Sequence, residues 1–339
     1  MSYYEKNNKH NQYNSKANGA NGANGANGAN RSNTSADRTA VNSRSGRSRI
    51  AHQTLEILEE GTYVNGYDRA VHIKEDMQQA IQNSVLYRPS ELSLLKEKLH
   101  KGEQADSSGN QQESKSIVSQ GKAERIEVTG ETTLAAAARL TLEEGRTDVV
   151  CLNFASAKNP GGGFLGGSQA QEESLARATG LYPCIAQMHE MYEYNRKQRS
   201  CLYSDYMIYS PHVPVIRDDD DRLLDQYYTS SFITAPAVNA GVVKERNEAT
   251  DEQIHAVMKQ RIRYILEVAA AHGHRTIVLG AFGCGVFRNE PAQVAAYFED
   301  ILVQERYRDY FDRIVFAVFD RSAGQRTLET FRRMLYKLN

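Results

Sequence analysis

Little in this chain favours one sign of charge. Its 41 Lys and Arg residues are set against 42 Asp and Glu, a formal net charge of -1 at neutral pH. No overall field would therefore hold it on a nucleic acid or an anionic lipid surface, and an anionic ligand would have to be captured locally. Cysteine is scarce too. Cys151, Cys184, Cys201 and Cys284 are widely spaced and form no C-x-x-C pair, which argues against a zinc cluster and, behind a polar N-terminus without a signal peptide, fits a reducing compartment. No apolar run approaches the ~20 residues needed to span a bilayer. Together these absences lead us to expect a soluble, cytoplasmic protein.

Apolar residues are also rare in the first 45 positions, which are dominated by Asn, Ser, Gly and Ala and repeat the triplet Ala-Asn-Gly over residues 17–30. Glycine recurs at every third position there, but the tract has no proline to specify a collagen triple helix. With nothing to offset the entropy of ordering, residues 1–46 are expected to be a disordered tail. Removal of residues 1–45 should then leave activity and melting temperature nearly unchanged.

The remainder suits one main domain with an extension in front of it. In residues 47–122, Ile50, Leu55, Ile57 and Leu58 among charged neighbours suggest a short helix, and a second helical stretch runs near residues 73–86. Residues 101–120, almost without apolar side chains, read as an exposed linker. From residue 123 strands and helices alternate: a strand over 125–129, a helix over 132–144, and a nearly continuous apolar strand over 148–154 of the kind buried on both faces. Helices follow after Gln171 and near Ile185, and strands near Met207 and Ser231. A long helix begins at Thr250, where Gln253 three residues on forms a capping box and Ile254, Met258, Ile262, Ile265 and Ala269 make an apolar stripe. A strand over 276–282, a helix from Pro291, a strand over 313–319 and a terminal helix complete the pattern. This is the α/β signature, a largely parallel sheet with helices on both faces, and such sheets bind ligands at the carboxyl ends of their strands.

Two glycine-rich segments fall at such ends. The first, residues 153–173, reads N-F-A-S-A-K-N-P-G-G-G-F-L-G-G-S-Q-A-Q-E-E. Gly161, Gly162 and Gly163 lack a Cβ, so the backbone can take positive φ and come close to a sugar or phosphate; a flexible surface loop is the plain alternative. A P-loop is disfavoured because no lysine lies between Gly161 and Glu173. The second, residues 280–289, reads G-A-F-G-C-G-V-F-R-N and leads into a helix. Successive N–H groups in such a turn can nest an anion, with a diphosphate as the natural occupant, although an ordinary tight turn fits as well.

Glu172 and Glu173 carry the chemical content. An acidic pair at a helix start can be simple macrodipole complementation, worth ~0.3–1 kcal/mol. Beside the glycines, however, a carboxyl in a partly desolvated sugar pocket can have its pKa raised and so protonate a leaving oxygen. Adjacent helical residues point ~100° apart, which does not suit the opposed carboxylates of an ordinary glycosidase, ~5–9.5 Å apart. One carboxyl is expected to transfer protons and the other to grip sugar hydroxyls.

The G-G-G, a spacer of seven residues and Q-E-E, together with G-A-F-G-C-G-V-F, resemble the microbial branch of the poly(ADP-ribose) glycohydrolases, of the macrodomain superfamily. The resemblance spans about residue 48 to the C-terminus. It implies a macrodomain-like mixed, largely parallel sheet over residues 123–339 behind a helical N-terminal extension, and exo-type removal of ADP-ribose units by hydrolysis of ribose-ribose bonds. It further implies that Glu173 protonates the departing ribose oxygen and then accepts a proton from water, and that Glu172 binds ribose hydroxyls. Gln171, Asn159, Phe164 and the backbone of Gly161, Gly162 and Gly163 would help to hold that ribose. Gly283, Cys284, Gly285 and Val286 would cradle the diphosphate, and Phe287 would pack on the distal ribose. No cofactor or metal is implied; the partners would be poly(ADP-ribose) or ADP-ribosylated proteins, with no direct nucleic acid and no membrane, the chain acting as a monomer in the DNA damage response. The animal enzymes carry an asparagine where this chain has Ala281, and their tyrosine-bearing insertion, associated with endo-activity, is not identifiable here. No motif matches for the adenine; Phe319 could stack on it or be a plain core residue.

Two other readings stay open at this point. One is a macrodomain that binds ADP-ribose without cutting it, against which the Gln171-Glu172-Glu173 triplet counts, because recognition alone needs no positioned acid. The other is a hydrolase of a mono-ADP-ribosyl linkage. The aspartates at 218–221 read as a solvated loop, lacking the ligand spacing of a calcium site. His189, His212, His255 and His274 show no metal-ligand spacing, and Tyr182, Tyr203, Tyr206 and Tyr209 suit packing or a pocket rim.

Overall fold

A computed structural model of the chain describes residues 43–97, 99 and 125–336. The repeat tract and the linker over 101–120 lie outside them. Ser43 caps helix α1 (Arg44–Glu60) by accepting the Gly46 N–H on its hydroxyl, and Gly61, at φ +74°, ends it. The helix therefore starts inside the stretch that composition assigns to the tail, and removal of residues 1–45 would take away its cap and the Arg44 bond to the Gly166 carbonyl, so the expectation of a neutral truncation holds only for a cut before Ser43. A capping serine and a buried glycine begin it, and neither raises local hydrophobicity.

Beyond α1 come a hairpin of β1 (Thr62–Val64) and β2 (Ala70–His72), helix α2 (Lys74–Gln82), strand β3 (Val85–Tyr87) and the short helix α3 (Pro89–Leu92). The stretch near 73–86 is thus not all helix. Val85, Leu86 and Tyr87 are residues that suit a pleated surface, and they pair antiparallel with the strand from Met207, in register Val85↔Tyr209. The extension thereby supplies an edge strand to the main sheet as well as helices.

The other strands of that sheet are β4 (Ile126–Thr129), β5 (Val149–Phe154), β6 (Met207–Arg217), β7 (Leu223–Ala235), β8 (Thr276–Leu279) and β9 (Arg313–Ala317). Their order is β3-β6-β7-β5-β8-β9-β4. β6 pairs antiparallel with β3 and β7, and every pairing from β7 to β4 is parallel. Between them run α4 (Thr133–Ala138), α5 (Gln171–Ala178), α6 (Leu181–Ala186), α7 (His189–Lys197), α8 (Ala240–Glu245), α9 (Asp251–Ala271), α10 (Pro291–Glu299) and, last, α11 (Arg326–Leu335).

Side chains alternate along β5, and both sets are buried. Val150 and Leu152 join a core with Ile262 and Ile265 of α9, Phe298 of α10 and Phe331 of α11. Val149 and Cys151 join another with Leu175 of α5, Leu181 and Ile185 of α6, and Met77 of α2. A strand covered by helices on both faces needs apolar residues at every position, hence its unbroken run. α9 carries both bonds of its capping box, and Ile254, Met258, Ile262, Ile265 and Ala269 are all buried. His274, at the amino end of β8, shares hydrogen bonds with the Tyr209 hydroxyl and the Asp148 carbonyl, each 2.8 Å. Among the described residues no helix is long and apolar enough to cross a membrane.

Candidate active site

β5 and β8 are neighbours, with Val149 opposite Thr276 and Cys151 opposite Val278. The glycine segments that follow them are therefore side by side at the carboxyl end of the sheet. The rings of Phe154 and Phe282, one from each segment, lie 6.0 Å apart between centroids.

The first segment turns on Gly161 at φ +69° and Gly162 at φ +58°, a pair of left-handed residues that side chains would disfavour. The Gly162 N–H donates to the Asn159 carbonyl, 3.0 Å. A Cβ on Gly162 would overlap the Glu173 carboxylate and crowd that of Glu172. The loop backbone and the acidic pair thus occupy the closest spacing their atoms permit.

Gln171 opens α5 and splices it to β5. Its Oε1 accepts the Phe154 N–H at 2.8 Å, while Nε2 donates to the Leu152 carbonyl at 2.7 Å and to Thr133 Oγ1 at 3.0 Å. An amide so occupied prolongs the strand's hydrogen bonding into the helix and fixes where the next two residues start.

Those two carboxyls occupy different surroundings. Glu172 is 3% exposed. Its Oε2 accepts the Ser156 N–H at 2.7 Å, and Asn153 Nδ2 lies 3.4 Å from Oε1. Burial above all, with the charge of nearby Glu173 added, outweighs the lowering pull of hydrogen bonds from Ser156, Asn153 and the Gly161 backbone and leaves its pKa pushed up to about 8. The carboxyl is consequently protonated for the most part at neutral pH. Asn153 Oδ1, buried beside it, has no partner among the described residues; turning the amide over would present that oxygen to a protonated Glu172. Glu173 is half-buried, and its Oε1 accepts the Gly163 N–H at 3.0 Å.

In the second segment Gly283, at φ +74°, sits where a Cβ would meet Ala237 and Asn289 at 2.6 Å. Asn289 fastens the turn by donating from Nδ2 to the carbonyls of Val238 and Gly283, 2.8 and 3.0 Å. The Cys284 N–H is spent on the Ala281 carbonyl. Those of Gly283, Gly285, Val286 and Phe287 have no intramolecular acceptor among the described residues, which is the condition for an anion nest. Gly285 faces open space and Val286 is exposed. Burial pushes the Cys284 thiol up to about 12, so it is no ready nucleophile. Phe287 packs on Tyr203, centroids 5.9 Å apart, and Lys158 Nζ lies over the other ring's centre at 5.9 Å, joining the rims of the two segments.

The structure brings together Glu172, Glu173, Gly161, Gly162 and Gly163, with Gly283, Cys284, Gly285, Val286 and Phe287 alongside. Asn159 is exposed on the first loop. Phe164 is placed differently from a ligand contact: its ring, 1% exposed, packs beneath the loop with Ala51, Ala176 and Tyr182. Phe319, half exposed, lies under the Arg321 guanidinium at 4.8 Å. Sequence reasoning missed Asn153, whose place inside an apolar strand was the one available signal. It also missed the tie between α5 and the β6–β7 turn. Arg177, buried, pairs with Asp221 at 3.4 Å and donates to the Ser168 carbonyl at 3.0 Å, so one of the four aspartates read as solvated anchors the helix that carries the acidic pair.

Two glycine turns on adjacent parallel strands, one with an acidic pair and one with free N–H groups, define a macrodomain-type hydrolase of ADP-ribosyl bonds. Residues 51–218, which include the first turn and the acidic pair, match the family described as microbial-type PARG, catalytic domain. The poly(ADP-ribose) glycohydrolase of Thermomonospora curvata is similar at 44% identity and TM-score 0.75, over 86% of this chain and 99% of that one. Its structure with the inhibitor ADP-HPD gives 42%, 0.73, and 85% and 99%. The Deinococcus radiodurans enzyme in complex with ADP-ribose matches at 40% identity and TM-score 0.69, over 79% of this chain and 100% of that one. No curated protein sequence matches. The chain belongs to the microbial-type poly(ADP-ribose) glycohydrolase family, and so to the glycosidases.

Proposed function

We propose that this protein removes ADP-ribose units from the ends of poly(ADP-ribose), with Glu173 as the proton-transferring residue. The observation that carries the assignment is the half-buried Glu173 carboxyl, held by the Gly163 N–H at the glycine turn beside a neighbour that is almost fully buried. A substrate can reach the first carboxyl directly. In the proposed reaction the bond from the anomeric carbon to the departing ribose oxygen breaks as Glu173 gives that oxygen its proton. Water then adds to the oxocarbenium-like carbon and returns a proton to Glu173.

In this reading Glu172 is a ribose-binding and positioning carboxyl, neutral for most of the time at pH 7, and Gln171 acts through the backbone it fixes. Asn159 and the backbone of Gly161, Gly162 and Gly163 surround the reacting ribose. The N–H groups of Gly283, Gly285, Val286 and Phe287 take the diphosphate, with Cys284 holding the turn's shape and the Phe287 ring at the distal ribose. Family membership, and a sequence in which no tyrosine-bearing insertion is identifiable, support exo-type cleavage. Four free cysteines support a cytoplasmic site of action, and the polymer substrate supports a part in the DNA damage response.

Incubation of the protein and its Glu173→Gln variant with poly(ADP-ribose), with chromatography of the products and calorimetry of ADP-ribose binding, tests the assignment. Free ADP-ribose from the unaltered protein alone, with binding kept in both, is the expected result. Binding by both with release by neither would make this a module that recognises ADP-ribose or a hydrolase of another ADP-ribosyl linkage.

A further inference from the structure

The turn that leads to the acidic pair is held from outside by the first half of α1. Three successive carbonyls each receive a side chain from it: Ser48 Oγ donates to Leu165 at 2.6 Å, Arg44 Nε to Gly166 at 2.9 Å and Arg47 Nε to Gly167 at 2.9 Å. Gly167 has φ +73°, and a Cβ there would collide with the backbone carbonyl of Arg44, so only glycine admits the helix this close. Deeper in the contact Ala51 is fully buried against Phe164 and Ala176. At its far end Thr54 Oγ1 donates to the Arg177 carbonyl at 2.6 Å and accepts from Arg217 Nε at 3.0 Å. α1 is thereby fixed to both ends of the segment that contains Glu172 and Glu173.

On its inner side the same turn closes on Gly163. The Gly163 carbonyl accepts the N–H of Gly166 at 3.1 Å and of Ser168 at 3.2 Å, and the Gly163 N–H donates to Glu173 Oε1 at 3.0 Å. An unbroken chain of hydrogen bonds and peptide units therefore runs from the α1 side chains to the proton-transferring carboxyl. The charges of Arg47 and of Glu173 both act on Arg177, in opposite directions.

We propose that Arg44, Arg47 and Ser48 are positioning residues for catalysis, holding the 163–167 turn in the geometry that aims Glu173. They are exposed or half-exposed, and polar contacts at such positions add little to global stability. Ile50, Ala51, Ile57 and Leu58 are buried and keep the helix docked without them. Loss of the three polar side chains should then be felt in the aim of the turn, where a misplacement of about 1 Å costs about a hundredfold in rate. The inference rests on the assignment of Glu173, which fails independently if Glu173→Gln cleaves as fast as the unaltered protein.

The experiment compares the full chain with Arg44→Ala/Arg47→Ala/Ser48→Ala and with Arg44→Lys/Arg47→Lys/Ser48→Thr, which keeps the donors. For the alanine variant kcat should fall about ten- to hundredfold while KM and calorimetric ADP-ribose affinity stay within about threefold. Its melting temperature should stay within about 3 °C, and the conservative variant should recover most of kcat. A kcat within about twofold of the unaltered protein, or a loss that the conservative variant shares in full, overturns the proposal. So does an alanine variant that no longer folds, because α1 would then be a folding element and not an aiming device.

Discussion

Replacing Glu172 by glutamine should make the protein more stable, and increasingly so as the pH rises. The folded-state pKa of Glu172 is raised from 4.5 to about 8 because the carboxyl is buried. Between those two values the folded chain keeps a proton that the unfolded chain releases, so stability falls as pH rises through this window and the loss is complete above the folded pKa. The gap of 3.5, from 8 minus 4.5, at ~1.36 kcal/mol per pH unit gives a ceiling of about 5 kcal/mol. Water entry and relaxation around the ionised group reduce this, and a measured difference of about 2–4 kcal/mol is the expectation. Glu172→Gln is neutral at every pH, and its amide can still accept the Ser156 N–H and pair with Asn153. Urea unfolding of both proteins at pH 5, 7 and 9 reads the effect: near-equal stabilities at pH 5, and a glutamine variant ahead by the full amount at pH 9. Parallel stability curves across that range would refute the reasoning, since they would mean that the carboxyl is solvated in the folded protein.

Gly162→Ala should reduce cleavage much more than stability, because the left-handed backbone costs about 1–2 kcal/mol for a side chain whereas the new Cβ displaces the Glu173 carboxylate directly; steady-state kinetics beside a thermal melt would show the imbalance, and an unchanged kcat would count against the close spacing. Asp221→Ala should destabilise by about 3–5 kcal/mol by leaving the buried Arg177 cation without its partner. A thermal melt unmoved by that substitution would place Arg177 in contact with water.

The parts of the molecule that could be read in advance are those whose signal is local. The capping box at Thr250 and the stripe from Ile254 to Ala269 declare a helix without help from the rest of the chain. The unbroken apolar run of β5 declares burial on both faces. β3 could not be read, because three residues become a strand only when the edge of β6 is there to pair with them. The start of α1 was hidden for a related reason: Ser43 is a cap only if a helix follows, and the residues around it have the composition of the tail. At the site, the glycine and glutamate spacing was visible as sequence. Which carboxyl is buried was not, since that depends on Asn153 and Ser156 arriving from β5. The resemblance implied that Phe164 helps to hold the ribose, but its ring, flanked by Ala51 and Ala176, belongs to the packing under the loop. Asp221 looked solvated among its three neighbours, because only the long hairpin of β6 and β7 carries it to Arg177.

The pairing of β5 with β8 has a geometric consequence for whatever binds there. Cys151 stands opposite Val278, so Leu279, the last residue of β8, is level with Leu152, whereas β5 runs on through Asn153 to Phe154. At ~3.3 Å per residue the first glycine turn leaves the sheet about 7 Å further out than the second. The two glycine turns thus start at different heights above the sheet, the second lower than the first. A ligand spanning both must lie obliquely across the strand ends. Lengthening or shortening either strand by a single pair of residues would change that offset, and with it the slope that such a ligand would take.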